Sequence, residues 1–121
     1  MPRRQLPKQD LVRRLALALP ETREQAHFGR PDLRVRNRIF ATFPEDGRTV
    51  NLKTTPVNLD ALVATDSSTF RKVWGDRWVG VELSRVHRSV LRDLIVEAWR
   101  LAAPKRLAAA LEEPGGRLPT P

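Results

Sequence analysis

The side chains able to do covalent chemistry are few in this sequence and badly spaced for it. The two histidines, His27 and His87, lie far apart, and neither sits in an HExxH pair that would hold zinc on one helix face. Ser67, Ser68, Ser84 and Ser89 stand outside any GxSxG elbow, the strained turn that exposes a serine nucleophile. Neither GxxxxGKS nor GxGxxG is present to cradle a phosphate chain. There is no cysteine, so disulfides, thiolate nucleophiles and cysteine-ligated metals are excluded. Asp93 and Glu97 are four apart on a helical stretch, but Arg92 and Arg100 neighbour them, which makes surface ion pairing the expected use of these carboxylates. No catalytic set, metal site or cofactor is expected.

The basic residues are more informative. Arg30, Arg34, Arg36 and Arg38 fall within 30–43, where Asp32 is the one acid. Arg71, Lys72 and Arg77 surround Trp74 and Trp78 in a second cluster, and Lys53 ends a short polar-apolar alternation beside Asn51. A guanidinium fork donates two hydrogen bonds at once to a phosphate, and tryptophan offers a flat face on which a base can stack. These ten residues form the expected nucleic-acid-binding set.

The overall balance points the same way: 22 basic against 14 acidic residues, net +8. Residues 1–6 contribute two of those charges and 112–121 subtract one, leaving +7 for the rest. Such a body attracts polyanions over a Debye length of about 8–10 Å. Only four of the basic residues are lysine, and a GC-rich codon bias alone would enrich arginine in this way. What decides between these readings is whether the cations share one face.

The elements that must position them follow from periodicity. Lys8–Leu19 reads as a helix with Leu11, Leu15, Ala18 and Leu19 in one stripe, ended by Pro20. Period two takes over from Gln25 to Lys53: a short strand near Ala26–Phe28, then strands through Leu33–Val35, Ile39–Phe43 and Val50–Leu52. Arg36-Asn37-Arg38 and Pro44-Glu45-Asp46-Gly47 are the turns between them. In this alternation Arg34, Arg36 and Phe40 point away from the core. Thr55-Pro56 opens a second helix, with Leu59, Leu62 and Val63 inward. Two strands, Phe70–Val73 and Trp78–Leu83, join through Gly75-Asp76-Arg77, and a third helix spans Arg88–Ala102 with Trp99 as packing. Pro104 breaks it before a further helical turn over Lys105–Leu111. The fold class is therefore α+β: two layers, an antiparallel sheet of about five to six strands against helices, in the order helix, strands, helix, two strands, helix. Residues 1–111 form one domain and 112–121 an expected disordered tail. No apolar run approaches the ~20 residues of a membrane span, and a cytoplasmic monomer is expected.

Four segments carry a family resemblance: HFGRPDLRVRNRIFATF (His27–Phe43), VNLK (Val50–Lys53), FRKVWGDRWVGVEL (Phe70–Leu83) and EAWRLAAPKRLAA (Glu97–Ala109). In order and spacing they resemble the MmcQ/YjbR-like family over roughly Leu11–Ala109. That resemblance implies a two-layer α+β fold akin to frataxin-like proteins and secretion chaperones, and a proposed double-wing mode of DNA binding. No catalytic set travels with it. Phe28, Gly29, Pro31, Asp32, Asn51, Leu52, Lys53, Gly80, Ala98, Trp99 and Lys105 match its pattern; Leu33 stands where an aromatic is usual.

The leading expectation is sequence-tolerant binding of nucleic acid, double-stranded DNA foremost, through basic hairpin wings. The alternatives are a protein-interaction or chaperone-like module, with an apolar patch around Phe40, Trp74 and Trp78, and a small-molecule-binding protein, with a pocket gathering His27, Asn51, Lys53 and Trp78.

Overall fold

The computed structural model describes residues 8–112. Ten elements follow one another: α1 (Gln9–Leu17), β1 (Thr22–His27), β2 (Arg30–Val35), β3 (Arg38–Thr42), β4 (Thr49–Lys53), α2 (Pro56–Thr65), β5 (Phe70–Lys72), β6 (Trp78–Glu82), α3 (Arg88–Ala102) and α4 (Lys105–Glu112). The strands make one antiparallel sheet in the order β1-β2-β3-β4-β6-β5. The element order and the α+β class match the sequence reading, and the sheet has six strands. The tail expected over 112–121 lies outside the described residues, except that Glu112 closes α4.

One face of the sheet carries the core. The apolar stripe of α1 (Val12, Leu15, Ala16) and that of α3 (Leu91, Ile95, Ala98, Trp99, Ala102) pack together and onto β2, β3 and β4. Beneath them lie Leu33, Val35, Val50, Leu52, Val79 and Val81, all fully buried. Trp99 is enclosed, and its indole N–H donates to the carbonyl of Pro20 at 3.0 Å, which ties α3 to the end of the α1 turn. Gln9 fastens the other end of α1 by donating to the carbonyls of Pro44 and Thr49, both at 2.9 Å. α2 begins as its sequence requires: Thr55 Oγ1 accepts from the Asn58 N–H at 3.2 Å, and Pro56 takes the first helical position.

The expected alternation fails at one place. Leu33 pairs with Ala41 but Arg34 pairs with Ile39, so Phe40 is an extra residue in β3. Such a bulge turns two successive side chains towards one face. Phe40 and Ala41 are both fully buried, whereas strict period two had put Phe40 outward. The first strand also starts earlier than Ala26, at Thr22.

Three hairpin turns share an unusual backbone. Phe28-Gly29, Arg36-Asn37 and Trp74-Gly75 each place two successive residues at positive φ: 53° and 79°, 51° and 68°, 50° and 92°. In the two-residue connections Phe28-Gly29 and Arg36-Asn37 this matches the primed turns that suit strand twist and favour Asn or Gly, whereas Trp74-Gly75 opens a longer loop over 74–77. Two of the three use a large aromatic in the first position instead, and both rings are exposed, Phe28 at 93% and Trp74 at 65%.

Candidate nucleic-acid interface

Directly opposed residues of an antiparallel pair share a sheet face. Following the pairings outward from Asn51 therefore maps the face opposite α1 and α3. Gln25, Asp32, Thr42, Asn51, Gly80 and Arg71 form a single row across all six strands, with neighbours about 4.8 Å apart. Next to this row on the same face stand Arg23, Arg34, Ile39, Lys53 and Trp78 on one side and Arg30, Thr49 and Glu82 on the other.

The expected cations divide into three groups. Arg34 lies on this face but is held: Nε and Nη2 donate to Asp32 Oδ1 and Oδ2 at 2.9 and 3.1 Å, and Nη1 to Asn37 Oδ1 at 3.0 Å. Hydrogen bonding to Asp32 raises the Arg34 pKa further. Arg36, at the β2–β3 tip, is bound two-armed by Glu21; the bond from Arg36 holds the Glu21 carboxyl below its usual value. Lys72 opposes the buried Val79 and so belongs to the helical side, where it meets Asp60 of α2 at 3.3 Å. Arg38 opposes Val35 and leans to that side as well.

The remaining members gather on the open face and its upper edge. Arg30 and Arg71 are exposed there, and Arg77 is exposed at the β5–β6 tip. Lys53 Nζ sits 5.5 Å from the ring centre of Trp78, and Trp74 meets Trp78 edge-on with centroids 5.7 Å apart. Arg71 can lie flat because Gly80 is beneath it. A Cβ on Gly80 would come within 3.2 Å of Arg71 Cγ and Val73 Cγ1. Arg23 joins this group, directly opposite Arg34. It escaped the sequence reading because its strand was begun four residues too late.

The same face holds a cavity of about 280 Å³, lined among others by Arg30, Asp32, Ile39, Thr42, Asn51 and Trp74. Asn51 is 6% exposed; its Nδ2 donates to Thr42 Oγ1 at 3.2 Å, while Oδ1 has no partner among the described residues. The pocket foreseen around His27, Asn51, Lys53 and Trp78 thus shares only Asn51 with the cavity present. Of the foreseen apolar patch, Phe40 is buried, while exposed Trp74 and half-buried Trp78 stand together at the surface. No group of three or more potential metal ligands occurs among the described residues. No helix there is long and apolar enough to cross a membrane.

Comparison with known proteins bears on the fold first. A crystal structure titled as Deinococcus radiodurans protein DR2400, a DUF419 domain, superposes with a TM-score of 0.74 over 90% of this chain and 91% of that one, at 20% identity. At that identity the likeness speaks for the fold alone. No curated protein matches the sequence. The YjbR family model matches residues 17–101, from the end of α1 nearly to the end of α3, and so includes every strand of the open face; the chain belongs to the YjbR family.

Proposed function

We propose that this chain binds nucleic acid non-covalently, through phosphate contacts tolerant of sequence, on the open face of its sheet. The observation that carries this reading is a division of labour among the cations. Arg34, Arg36 and Lys72 are matched by carboxylates. Arg30, Lys53, Arg71 and Arg77 have no carboxylate within 4 Å among the described residues, and Arg23 has none that close, though it feels the Glu21 carboxylate at longer range. All five belong to the open face or the tip beside Trp78, while Arg14, Arg38, Arg88 and Arg106, equally without an ion-pair partner among the described residues, lie elsewhere. Uncompensated guanidinium and ammonium groups on one side of a protein are what a phosphate backbone neutralises, with release of its counterions.

The wings of the original expectation carry less of the load than the sheet between them, since Arg34 and Arg36 are engaged within the protein. Engaging five phosphates gives a log–log slope of affinity on salt of about −4.5 for a duplex and about −3.5 for a single strand. Fluorescence anisotropy with labelled DNA at several salt concentrations measures this. Arg30→Glu and Arg71→Glu weaken binding to every sequence alike, whereas Lys72→Glu, on the helical side, leaves it unchanged. A flat salt response, or affinity weaker than about 10⁻⁴ M at physiological salt, rejects the proposal.

A further inference from the structure

A second cavity, of about 270 Å³, lies at the β1 edge of the sheet and is lined by Glu21, Arg23, Gln25, Arg34, Arg36 and Asn37. All six residues are polar, and three carry a guanidinium. The strand pairing explains how they meet. Arg23 and Gln25 stand two apart on β1 and share the open face, Arg34 opposes Arg23 directly, and β2 runs on into the Arg36-Asn37 turn. Like charges opposed across a ladder destabilise it. Asp32 matches Arg34 and Glu21 matches Arg36, whereas Arg23 has no carboxylate within 4 Å among the described residues. Three guanidinium charges thus meet two carboxylates, and the surplus is one that an anion seated between the strands offsets.

The two ion pairs position their guanidiniums without exhausting them. A guanidinium carries five N–H groups. Arg34 uses three, on Asp32 and Asn37, and Arg36 uses two, on Glu21. The rest, together with those of exposed Arg23 and the side-chain amide of exposed Gln25, have no protein acceptor among the described residues. Groups fixed in advance by neighbouring carboxylates lose little freedom when a ligand arrives.

We infer that this cavity binds a phosphomonoester, with Arg23 donating from β1, Arg34 from β2 and Arg36 from the turn. A monoester offers three terminal oxygens and a charge of about −1.5 to −2 at pH 7, more than the internal diester of a strand, and so suits donors set on several sides. Arginine forks match such oxygens two at a time. The group is carried by the phosphorylated end of a nucleic-acid strand and by free nucleotides. Its strand-end form rests on the nucleic-acid reading above: β1 is the last strand of the sheet, so a strand lying along the open face runs out beside this cavity.

The test uses the full chain. Oligonucleotides of one sequence, with a phosphate at the 5′ end, at the 3′ end or at neither, compete by anisotropy against an internally labelled strand, and thymidine and thymidine monophosphate are titrated by calorimetry. A phosphate at one end tightens binding about tenfold. Arg23→Ala and, should that variant misfold, Arg36→Ala each remove this advantage. Arg71→Ala, on β5 at the opposite edge, weakens all the strands alike and leaves the ratio as it was. Heat from thymidine monophosphate and not from thymidine, lost in Arg23→Ala, extends the site to free nucleotides; an advantage confined to strands assigns it to strand ends. Equal binding of all the strands with no heat from the monophosphate overturns the cavity site while phosphate binding on the open face stands. So does an end preference that survives both cavity variants, or one that Arg71→Ala removes as fully as they do. Binding of the monophosphate with no binding of any strand removes the nucleic-acid reading and leaves the cavity site.

Discussion

Arg34 closes on both oxygens of Asp32 from two residues further along the same strand, and so withdraws one guanidinium from a face otherwise rich in uncompensated cations. Asp32 is 1% exposed, so its charge is stable there only while paired. Asp32→Ala lowers the melting temperature, because Arg34 loses its partner opposite a second arginine, Arg23. The same substitution frees Arg34 for phosphate and steepens the salt slope of DNA binding by about one. Thermal melts and the anisotropy series measure the two effects; a slope that does not move places Arg34 outside the contact surface.

The hairpin tips set stability against surface chemistry. Phe28 occupies left-handed backbone with its ring almost wholly in solvent. That conformation costs a bulky L-residue about 1–2 kcal/mol, most of which Asn avoids. Phe28→Asn relieves that strain and gives up the ring's own contact, so its gain in unfolding free energy, read by urea titration, stays below about 1 kcal/mol. Trp74→Asn likewise gives up an edge contact, that with Trp78. A loss of stability in Phe28→Asn would instead reveal that the ring packs usefully.

Acid sensitivity comes from three carboxylates held below their ordinary pKa. Asp66 accepts from the Thr69 hydroxyl at 2.6 Å and the Ser68 N–H at 3.0 Å. Burial pushes Asp46 up, but donation from the Arg48 N–H, the Thr49 hydroxyl and the Thr49 N–H brings it down overall. Glu21 is lowered by its bond from Arg36. A lowered folded pKa means stability that is fully present above the unfolded value, near 4, and is lost as pH falls through the folded one. Urea unfolding should thus give a level plateau from pH 7 to 5 and a decline below about 4. The Asp46→Asn, Asp66→Asn double variant is less stable on the plateau and declines less steeply.

Trp99 separates structural from functional loss. Its burial and its bond to the Pro20 carbonyl put Trp99→Ala at about 3–5 kcal/mol. Trp99→Phe, which leaves the Pro20 carbonyl unbonded in a partly buried site, costs about 1–3 kcal/mol. Below its melting temperature Trp99→Phe binds DNA like the native chain, because Trp99 lies beneath the sheet face opposite the cations.

Much of the fold could be read from periodicity and local chemistry. The third helix has the bounds expected, Arg88–Ala102, because its apolar spacing is regular and Pro104 stops it. The Thr55 cap and the Pro44–Gly47 turn are local and equally readable. Strand register is not local. Whether Lys72 and Arg38 share a side with Arg71 depends on which residues they oppose, and Phe40 turns inward only because β3 carries one residue more than β2. The Asp32–Arg34 pair is two residues apart and could have been suspected; Glu21 reaches Arg36 only once β1 is known to extend back to Thr22. Asn51 and Lys53 stood out as polar positions beside Val50 and Leu52, but the burial of Asn51 between Thr42 and Gly80 emerges only from the pairing of β4 with β3 and β6.

The extra residue in β3 also guards the chain against mispairing. A hairpin of evenly matched strands can slide by a rung and zip onto another molecule. Here any slip would drag the Phe40 ring out of the interior and strand it in water, at a cost of about 1.5–3 kcal/mol. Phe40 thus works as a ratchet pawl: it fixes one alignment of β3 between β2 and β4, and with it the register of the strands that carry the open face.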